Sequence, residues 1–459
     1  MLEFFVPGSP ALFVLLLLCL ALVLFFEFSN GFHDTANAVA TVIYTHSLKA
    51  TQAVIWSGLM NFLGVLAGGI AVAFALIELI PPDVLTPPDG ALAVGMLVAL
   101  TLAALTWNVG TWWLGIPNSS SHALVGALIG IALEYGLVQG HSFTGAVNWH
   151  QVGGVLSALL ISPLLGFGFS FILYRVVCRL IPNRELYQAP IDGSRPVWWL
   201  RGLLVLTCTG VSFAHGTNDG QKSIGFIMLA IIGLMPQTYA LNEYVSSEQL
   251  TQLSQIVPQS ISLFQQAGDQ QRQVAITSAQ TLLDGLAGVH SITAIPSNKR
   301  SPLRHRLNVV IAELGAIEHK NSATDTQRAQ AKDYLEHLTG IVQYAPWWVR
   351  ILSALCLGAG TMIGYKRIVK TLGEGIGRVR MNPMQGGTAE AVASTLIASA
   401  GFTGLPVSTT HVVTGGVAGT MVGSGAGLQP PALQRIAIAW ILTLPGTMAL
   451  SAFFFYALS

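Results

Sequence analysis

Two short motifs each occur twice in this chain, and their spacing fixes how the chain is divided. Asn30-Gly31-Phe32-His33-Asp34-Thr35-Ala36-Asn37-Ala38 follows directly on the apolar run 11–28. A relative of it returns at Phe213-Ala214-His215-Gly216-Thr217-Asn218-Asp219-Gly220-Gln221-Lys222-Ser223. Gly115-Ile116-Pro117-Asn118-Ser119-Ser120-Ser121-His122 is echoed by Gly404-Leu405-Pro406-Val407-Ser408-Thr409-Thr410-His411. Asp34 and Asp219 are 185 residues apart, whereas His122 and His411 are 289 apart. The excess of 104 residues is close to the length of the one long polar segment, 237–344. Without that segment the two copies come into register. Each copy then holds an Asp-bearing interruption and a hydroxyl-bearing interruption of apolar sequence.

The sequence around these motifs is that of a membrane protein. The apolar fraction is 52 % and the charged fraction 9 %, far below the roughly one-quarter usual for soluble domains. Runs of about twenty apolar residues, enough to cross a bilayer, recur at 11–30, 51–78, 91–113, 151–176, 200–235, 346–364, 388–402 and 432–457. Shorter helical pieces are expected at 34–46, 118–135, 219–235 and 407–424. The formal net charge of +1 points to no nucleic-acid partner. Cys19, Cys178, Cys208 and Cys356 stand singly, without metal-ligand spacing, and read as packing residues. The first apolar run has no basic leader and enters the Asp34 motif directly, so it reads as a retained helix. Trp112-Trp113, Trp198-Trp199 and Trp347-Trp348 read as interfacial belts.

Short-loop charge gives the orientation. The 175–201 linker carries Arg175, Arg179, Arg184, Arg195 and Arg201, and the 364–380 loop Lys366, Arg367, Lys370, Arg378 and Arg380. The 79–90 turn has Asp83 and Asp89 but no base, and 136–150 has neither sign. Basic loops are placed inside and the other two outside. Turn 79–90 and loop 364–380 are equivalent in the two copies yet differ in side, as an inverted repeat requires. The expected fold is therefore an all-α polytopic membrane protein of two inverted-topology repeats with re-entrant or discontinuous helices, plus a polar, mainly helical insertion. Its parts are repeat 1 over 1–176, a basic cytoplasmic linker over 177–200, repeat 2 over 201–236 and 345–459, and the insertion 237–344. The same topology puts the insertion on the outer face. In it, 316–338 reads as one charged surface helix and 256–286 as a helix pair, with no catalytic constellation.

Asp34 and Asn37 lie three apart, hence on one helical face, and Asp219 and Lys222 repeat the spacing. A charge inside a bilayer costs several kcal/mol, so two at symmetric positions argue for function over packing. Ser119-Ser120-Ser121 and Ser408-Thr409-Thr410 each follow Gly-x-Pro, where proline ends one segment and hydroxyls cap the next helix. Free N–H groups and the positive dipole end make such a terminus an anion site. Ordinary capping explains either motif alone, but two facing copies could surround one tetrahedral oxyanion. His122 and His411 fit a packing role at least as well as a proton or metal role, whereas His33 and His215 adjoin the Asp motifs. Glu78, Glu134 and Glu374 read as helix-end residues, and Glu390 as deeper and unassigned. In copy 1, a carboxylate and an amide oxygen make a hard-cation site. In copy 2, Lys222 replaces the amide and supplies only donors.

Gly31-Phe32-His33-Asp34-Thr35-Ala36-Asn37-Ala38 resembles the duplicated Gly-Ala-Asn-Asp-Val-Ala-Asn-Ala signature of the PiT inorganic phosphate transporters, and Gly216-Thr217-Asn218-Asp219 begins its second copy. Gly404 to His411 is similar to that family's second hydroxyl motif, and the Gly-Phe-His-Asp form looks most like the bacterial Pit-type low-affinity members. The resemblance covers the membrane portion and leaves 237–344 unexplained. It implies that Ser119, Ser120, Ser121, Ser408, Thr409, Thr410 and Asn218 touch phosphate, while Asp34, Asn37 and Asp219 bind or organise a cation. The chain departs from the signature at His33, Gln221, Lys222 and Ser223. The expectation is a secondary active transporter of the bacterial inner membrane that imports phosphate by proton symport, alone or as a neutral divalent metal–phosphate complex. No resident cofactor is expected; a dimer is the assembly considered. Sodium coupling, another oxyanion such as sulfate, and an intramembrane hydrolase using Asp34 and Asp219 stay open as alternatives.

Overall fold

The computed structural model describes residues 10–77, 79, 90–138, 146–188, 195–266, 272–319, 323–371 and 375–458. Asp83, Asp89, Glu78 and Glu374 lie outside them. The described residues are helical, and a lone antiparallel bridge joins Gly377 to Leu428. In chain order the helices are α1 (Pro10–Tyr44), α2 (Ala50–Ala67), α3 (Ala71–Ile77), α4 (Gly90–Trp113), α5 (Ser120–Val138), α6 (Trp149–Leu180) and α7 (Trp198–Leu234). Then come α8 (Pro236–Tyr239), α9 (Ser247–Gln266), α10 (Gln273–Leu286), α11 (Ser297–Glu318), α12 (Asp325–Val342), α13 (Trp347–Thr361), α14 (Lys366–Lys370), α15 (Pro383–Thr403), α16 (Thr409–Gly423) and α17 (Pro430–Leu458). Six of the described helices are long and apolar enough to cross a membrane.

The Asp motifs do not break their helices. α1 and α7 run unbroken through Asp34 and Asp219 for 35 and 37 residues. At 1.5 Å per residue each is roughly 50 Å long, more than a bilayer's hydrocarbon thickness. The motifs contain no proline, so no backbone N–H is lost from either helix. The glycines serve close approach instead: a Cβ at Gly31 would strike the α13 backbone at Leu357, and one at Gly216 would strike the α2 backbone at Asn61.

The hydroxyl motifs are true breaks. Gly404 takes φ +78° and closes α15, Pro406 follows, and the Ser408 hydroxyl accepts the His411 N–H at 3.2 Å to open α16. Gly115 takes φ +68°, Pro117 follows, and the Ser119 hydroxyl accepts the His122 N–H at 3.2 Å to open α5. A left-handed residue suits glycine because it has no Cβ to clash.

The packing carries the inverted repeat. Glycines seam α16 to α6 in parallel, with Gly415 against Pro163, Gly419 against Phe167 and Gly423 against Phe171. The symmetric seam joins α5 to α17, with Gly126 against Leu444 and Gly130 against Met448. Small residues let membrane helices approach to backbone distance, where dispersion holds them. Each hydroxyl-motif helix is therefore packed on the last long helix of the other copy. α5 and α16 meet at their first turns, where the His122 and His411 rings lie 4.6 Å apart. Two further pairs obey the same two-fold: Gly64 abuts Phe213 as Gly360 abuts Phe28, and Gly216 abuts Asn61 as Gly31 abuts Leu357. Trp113, Trp198 and Trp347 are exposed, as belt residues should be.

The chain divides into two compact units, one of Leu17–Leu229 with Pro346–Ser459, the other of Ala230–Ala345 with the N-terminal residues up to Leu16. The insertion is a helical domain with its own apolar core, including Leu253, Val257, Phe264, Leu282, Leu307, Val310, Leu314 and Leu338. The expected helix pair over 256–286 is present as parts of α9 and α10. The single helix expected over 316–338 is instead two. α11 stops at Glu318, and α12 starts anew behind Thr324, whose hydroxyl accepts the Gln327 N–H while the Gln327 side chain accepts the Thr324 N–H. Such a reciprocal cap starts a helix. Arg304 donates to Ala240 O at 2.7 Å and Val342 O at 2.9 Å, clipping the two ends of the insertion together. Burial draws its guanidinium down to about 10, still charged at neutral pH. Asn242 N–H donates to Ile341 O, and the Tyr344 hydroxyl to Tyr239 O.

A segment whose ends are clipped and whose core is its own should fold when excised. Residues 237–344 expressed alone are expected to be helical by circular dichroism and to melt cooperatively. Leu338→Asp, which puts an unpaired charge in that core, is expected to abolish the transition, since such burial costs several kcal/mol out of roughly 5–15.

Candidate functional site

The site is built where the middles of α1 and α7 meet the first turns of α16 and α5. Asp34 Oδ1 accepts from Thr410 Oγ1 at 2.6 Å and from Asn37 Nδ2 at 3.2 Å, and Oδ2 from Thr409 Oγ1 at 3.4 Å. Asp219 Oδ2 lies 2.7 Å from Lys222 Nζ and accepts from Ser120 Oγ at 3.2 Å and Asn30 Nδ2 at 3.5 Å. Asn37 Nδ2 donates to Thr410 Oγ1 at 2.9 Å, and Lys222 Nζ to Ser121 Oγ at 2.7 Å. These contacts come in symmetric pairs. Asn37–Thr410 matches Lys222–Ser121, and Asp34–Thr409 matches Asp219–Ser120. Asn30 on Asp219 is matched by its own counterpart, His215, on Asp34.

His215 joins the halves. Its Nε2 lies 3.4 Å from Asp34 Oδ2 and 3.5 Å from Asp219 Oδ2, while Nδ1 is 2.6 Å from Asn61 Oδ1. An amide oxygen only accepts, so Nδ1 carries a hydrogen. Nε2 then offers either a lone pair or a second N–H to the two carboxylates. Asp34, His215 and Asp219 can each present one ligand atom within 4.8 Å of the others. Imidazole and carboxylate together suit a divalent cation. Buried oxygens of Asn30, Asn37, Asn218 and Asp219 have no hydrogen-bond donor, which adds to the fit of a cation or of a protonated ligand.

The residues singled out from sequence converge, with differences of role. Ser120, Ser121, Thr409 and Thr410 face the carboxylates or Lys222. Ser119 and Ser408 are helix caps, and Ser119 Oγ also lies 2.8 Å from His122 Nδ1. Asn218 is buried and donates to Leu405 O at 3.2 Å. His33 sits 3.4 Å from Asp34 Oδ1 and 3.4 Å from Thr111 Oγ1. His411 stacks on Trp440 at 3.7 Å and lies tilted against His122, which makes this pair part of the packing behind the site. Gln221 is structural, accepting the Val72 N–H at 2.9 Å. Lys222 does not reach an interface: it is buried at 1 % exposure and held on Asp219. Glu134 is near its helix end, and Glu390 is buried beside Thr207 at 2.7 Å and Thr41. Asn30, Asn61 and Glu27 carry no role in the sequence reading. Asn30 is accessible through the 185-residue offset, which pairs it with His215, and Glu27 as an acidic residue inside the apolar run 11–28; Asn61 offers no such signal.

Residues 30–451 match the phosphate transporter family. The chain belongs to that family. It is 37 % identical to the low-affinity inorganic phosphate transporter PitA of Escherichia coli K12 over 95 % of each chain. It is 37 % identical to PitB of the same strain over 98 % of each. A low-affinity inorganic phosphate transporter of Buchnera aphidicola from Acyrthosiphon pisum is 38 % identical over 96 % of each chain. The fold is similar to that of a solved structure titled "The sodium-dependent phosphate transporter", with TM-score 0.61 and 17 % identity, covering 97 % of this chain and 99 % of that one. The family settles the broad class in favour of a multi-pass membrane transporter, and the hydrolase alternative for Asp34 and Asp219 falls away.

The buried Lys222–Asp219 pair allows a direct test. Removing one partner of a buried pair strands the other and costs about 3–5 kcal/mol, whereas neutralising both is close to neutral. Lys222→Met is expected to lower the unfolding temperature in detergent sharply, and Lys222→Met with Asp219→Asn to recover most of it.

Proposed function

We propose that this protein imports inorganic phosphate across the bacterial inner membrane by proton symport. The phosphate oxygens would be taken by Ser120, Ser121, Thr409 and Thr410 and by the free N–H groups in the first turns of α5 and α16, which have no carbonyl partner within their helices. Ser119 and Ser408 would hold those turns in shape, and Asn218 would close the site from α7. Neutral donors bind an anion and release it again, which suits transport better than a cage of arginines.

The observation that carries the proton reading is the Lys222 ammonium, 2.7 Å from both Asp219 and Ser121. It stands where copy 1 has the Asn37 amide and supplies no oxygen to a sodium ion. A fixed positive charge there compensates Asp219 and favours the arriving anion. The cluster of Asp34, His215 and Asp219 supports a second form of the cargo, a divalent metal travelling with phosphate as a neutral complex. Sodium coupling remains a second reading on one observation: Asn37 Oδ1, beside Asp34, is buried without a donor.

Uptake of labelled phosphate into sealed proteoliposomes, with pH and sodium gradients imposed separately, tests the proposal. A pH gradient, acidic outside, is expected to drive accumulation, and external sodium to leave it unchanged. The opposite pattern overturns proton symport. Ser120→Ala and Thr409→Ala each remove a hydrogen bond to a charged group, worth about 1.5–3 kcal/mol, so apparent affinity should fall on the order of tenfold or more. Sulfate at equal concentration is expected to compete poorly.

A further inference from the structure

Three of the residues that break the two-fold symmetry of the site gather in one place. Lys222 stands opposite Asn37. Ser223, next to it, stands opposite Ala38. Glu27 on α1 stands opposite Ser212 on α7. The symmetric contact confirms the last match: Ser212 Oγ is 2.8 Å from Ser57 Oγ on α2, and Glu27 Oε1 accepts from Ser353 Oγ on α13 at 3.4 Å. The hydroxyls of Ser353 and Ser223 are 2.6 Å apart, and Ser353 Oγ also lies 3.1 Å from Gly220 O, so that carbonyl and Glu27 compete for its one hydrogen. A carboxylic acid has thus replaced a serine beside the position where a lysine has replaced an asparagine.

Glu27 is fully buried, and its Oε2 has no hydrogen-bond partner. No cation among the described residues lies within ion-pair distance of it. The charged and titratable groups that face it are Lys222, Asp219 and His215 on α7 and Cys356 on α13. Seven residues before Asp34 on the same helix face, it lies roughly 10 Å from the carboxylate pair along α1. An ionised carboxylate without a partner is costly in such a place, and a neutral one is not. The two serine hydroxyls can donate to the ionised form or accept from the neutral one, so both states are accommodated.

We infer that Glu27 holds the coupling proton of the transport cycle, with the Ser353–Ser223 hydroxyl pair as its partner and the Lys222–Asp219 pair as its electrostatic link to phosphate. This rests on the reading of the site as a proton-coupled phosphate site. With Glu27 ionised, Lys222 faces two carboxylates, Glu27 and Asp219. Once Glu27 is protonated, more of the ammonium charge is available to the arriving anion. Phosphate and proton therefore favour each other's binding, and linkage makes the effect reciprocal. The proton is taken from water on one side and returned to water on the other. Only the carboxyl O–H bond is made and broken.

Glu27→Gln, which keeps the shape and fixes the neutral form, separates this role from binding. In proteoliposomes it is expected to retain phosphate–phosphate exchange, which needs no net proton movement, while the pH-gradient stimulation of net uptake seen in the wild type falls to none. Glu27→Asp should restore part of the stimulation. A Glu27→Gln protein that exchanges phosphate and still responds fully to the gradient overturns the inference while leaving proton symport standing. A wild type indifferent to the gradient overturns proton symport itself. If Glu27→Gln proves poorly folded, infrared difference spectroscopy of the wild type decides. Adding phosphate should increase a protonated-carboxyl band that shifts in Glu27→Asp; absence of any such change overturns the assignment.

Discussion

Two carboxylates on neighbouring helices, enclosed by protein in the middle of a membrane, set the terms for everything around them. Asp34 and Asp219 both lie within 3.5 Å of one imidazole nitrogen of His215. Each therefore needs donors of its own, because two such charges repel and water is excluded. The donors come from the two short helices that begin at this depth, and those helices can begin there only because Gly-x-Pro ends the preceding segment. The same first turns that neutralise the carboxylates present the hydroxyls suited to an anion. Cation site and anion site are thus one hydrogen-bonded network, and a ligand entering it must take over bonds that the carboxylates now hold.

The offset between the motif pairs made the duplication legible, and the helix-opening hydroxyl motifs were readable because proline and a left-handed glycine act locally. The asparagine and histidine of the Asp motifs misled in one respect. Polar residues with glycine in an apolar run look like an interruption, yet α1 and α7 pass straight through. What satisfies Asp34 is Thr410, 376 residues away in the chain, and no local pattern announces such a partner. Asn61 is silent for the same reason: it acquires meaning only from the helix packed against it. In the insertion, the break between α11 and α12 depends on a capping pair, Thr324 and Gln327, lying within a stretch whose composition is helical throughout.

Departure from symmetry carries as much information as symmetry. Some pairs related by the two-fold keep their chemistry, so that threonine meets carboxylate at Thr409 and Asp34 as serine does at Ser120 and Asp219. Three of the exceptions, Glu27, Lys222 and Ser223, gather on the face of the site that includes α13. A duplicated scaffold that stayed identical on both faces would treat two coupling ions alike. Lys222 and Glu27 make the two faces chemically distinct.

The glycine seams have a mechanical consequence. α16 is fastened along its length to α6, and α5 to α17, so each short helix moves with a long helix from the other half of the sequence. The halves inherited from the duplication cannot then act as the two jaws of the machine. Any rocking that opens the site to one side must carry a body assembled from both copies, such as α6 with α15 and α16, while its mirror, α17 with α4 and α5, turns against it. Where those bundles of mixed parentage meet, at the first turns of α5 and α16, His122 lies against His411.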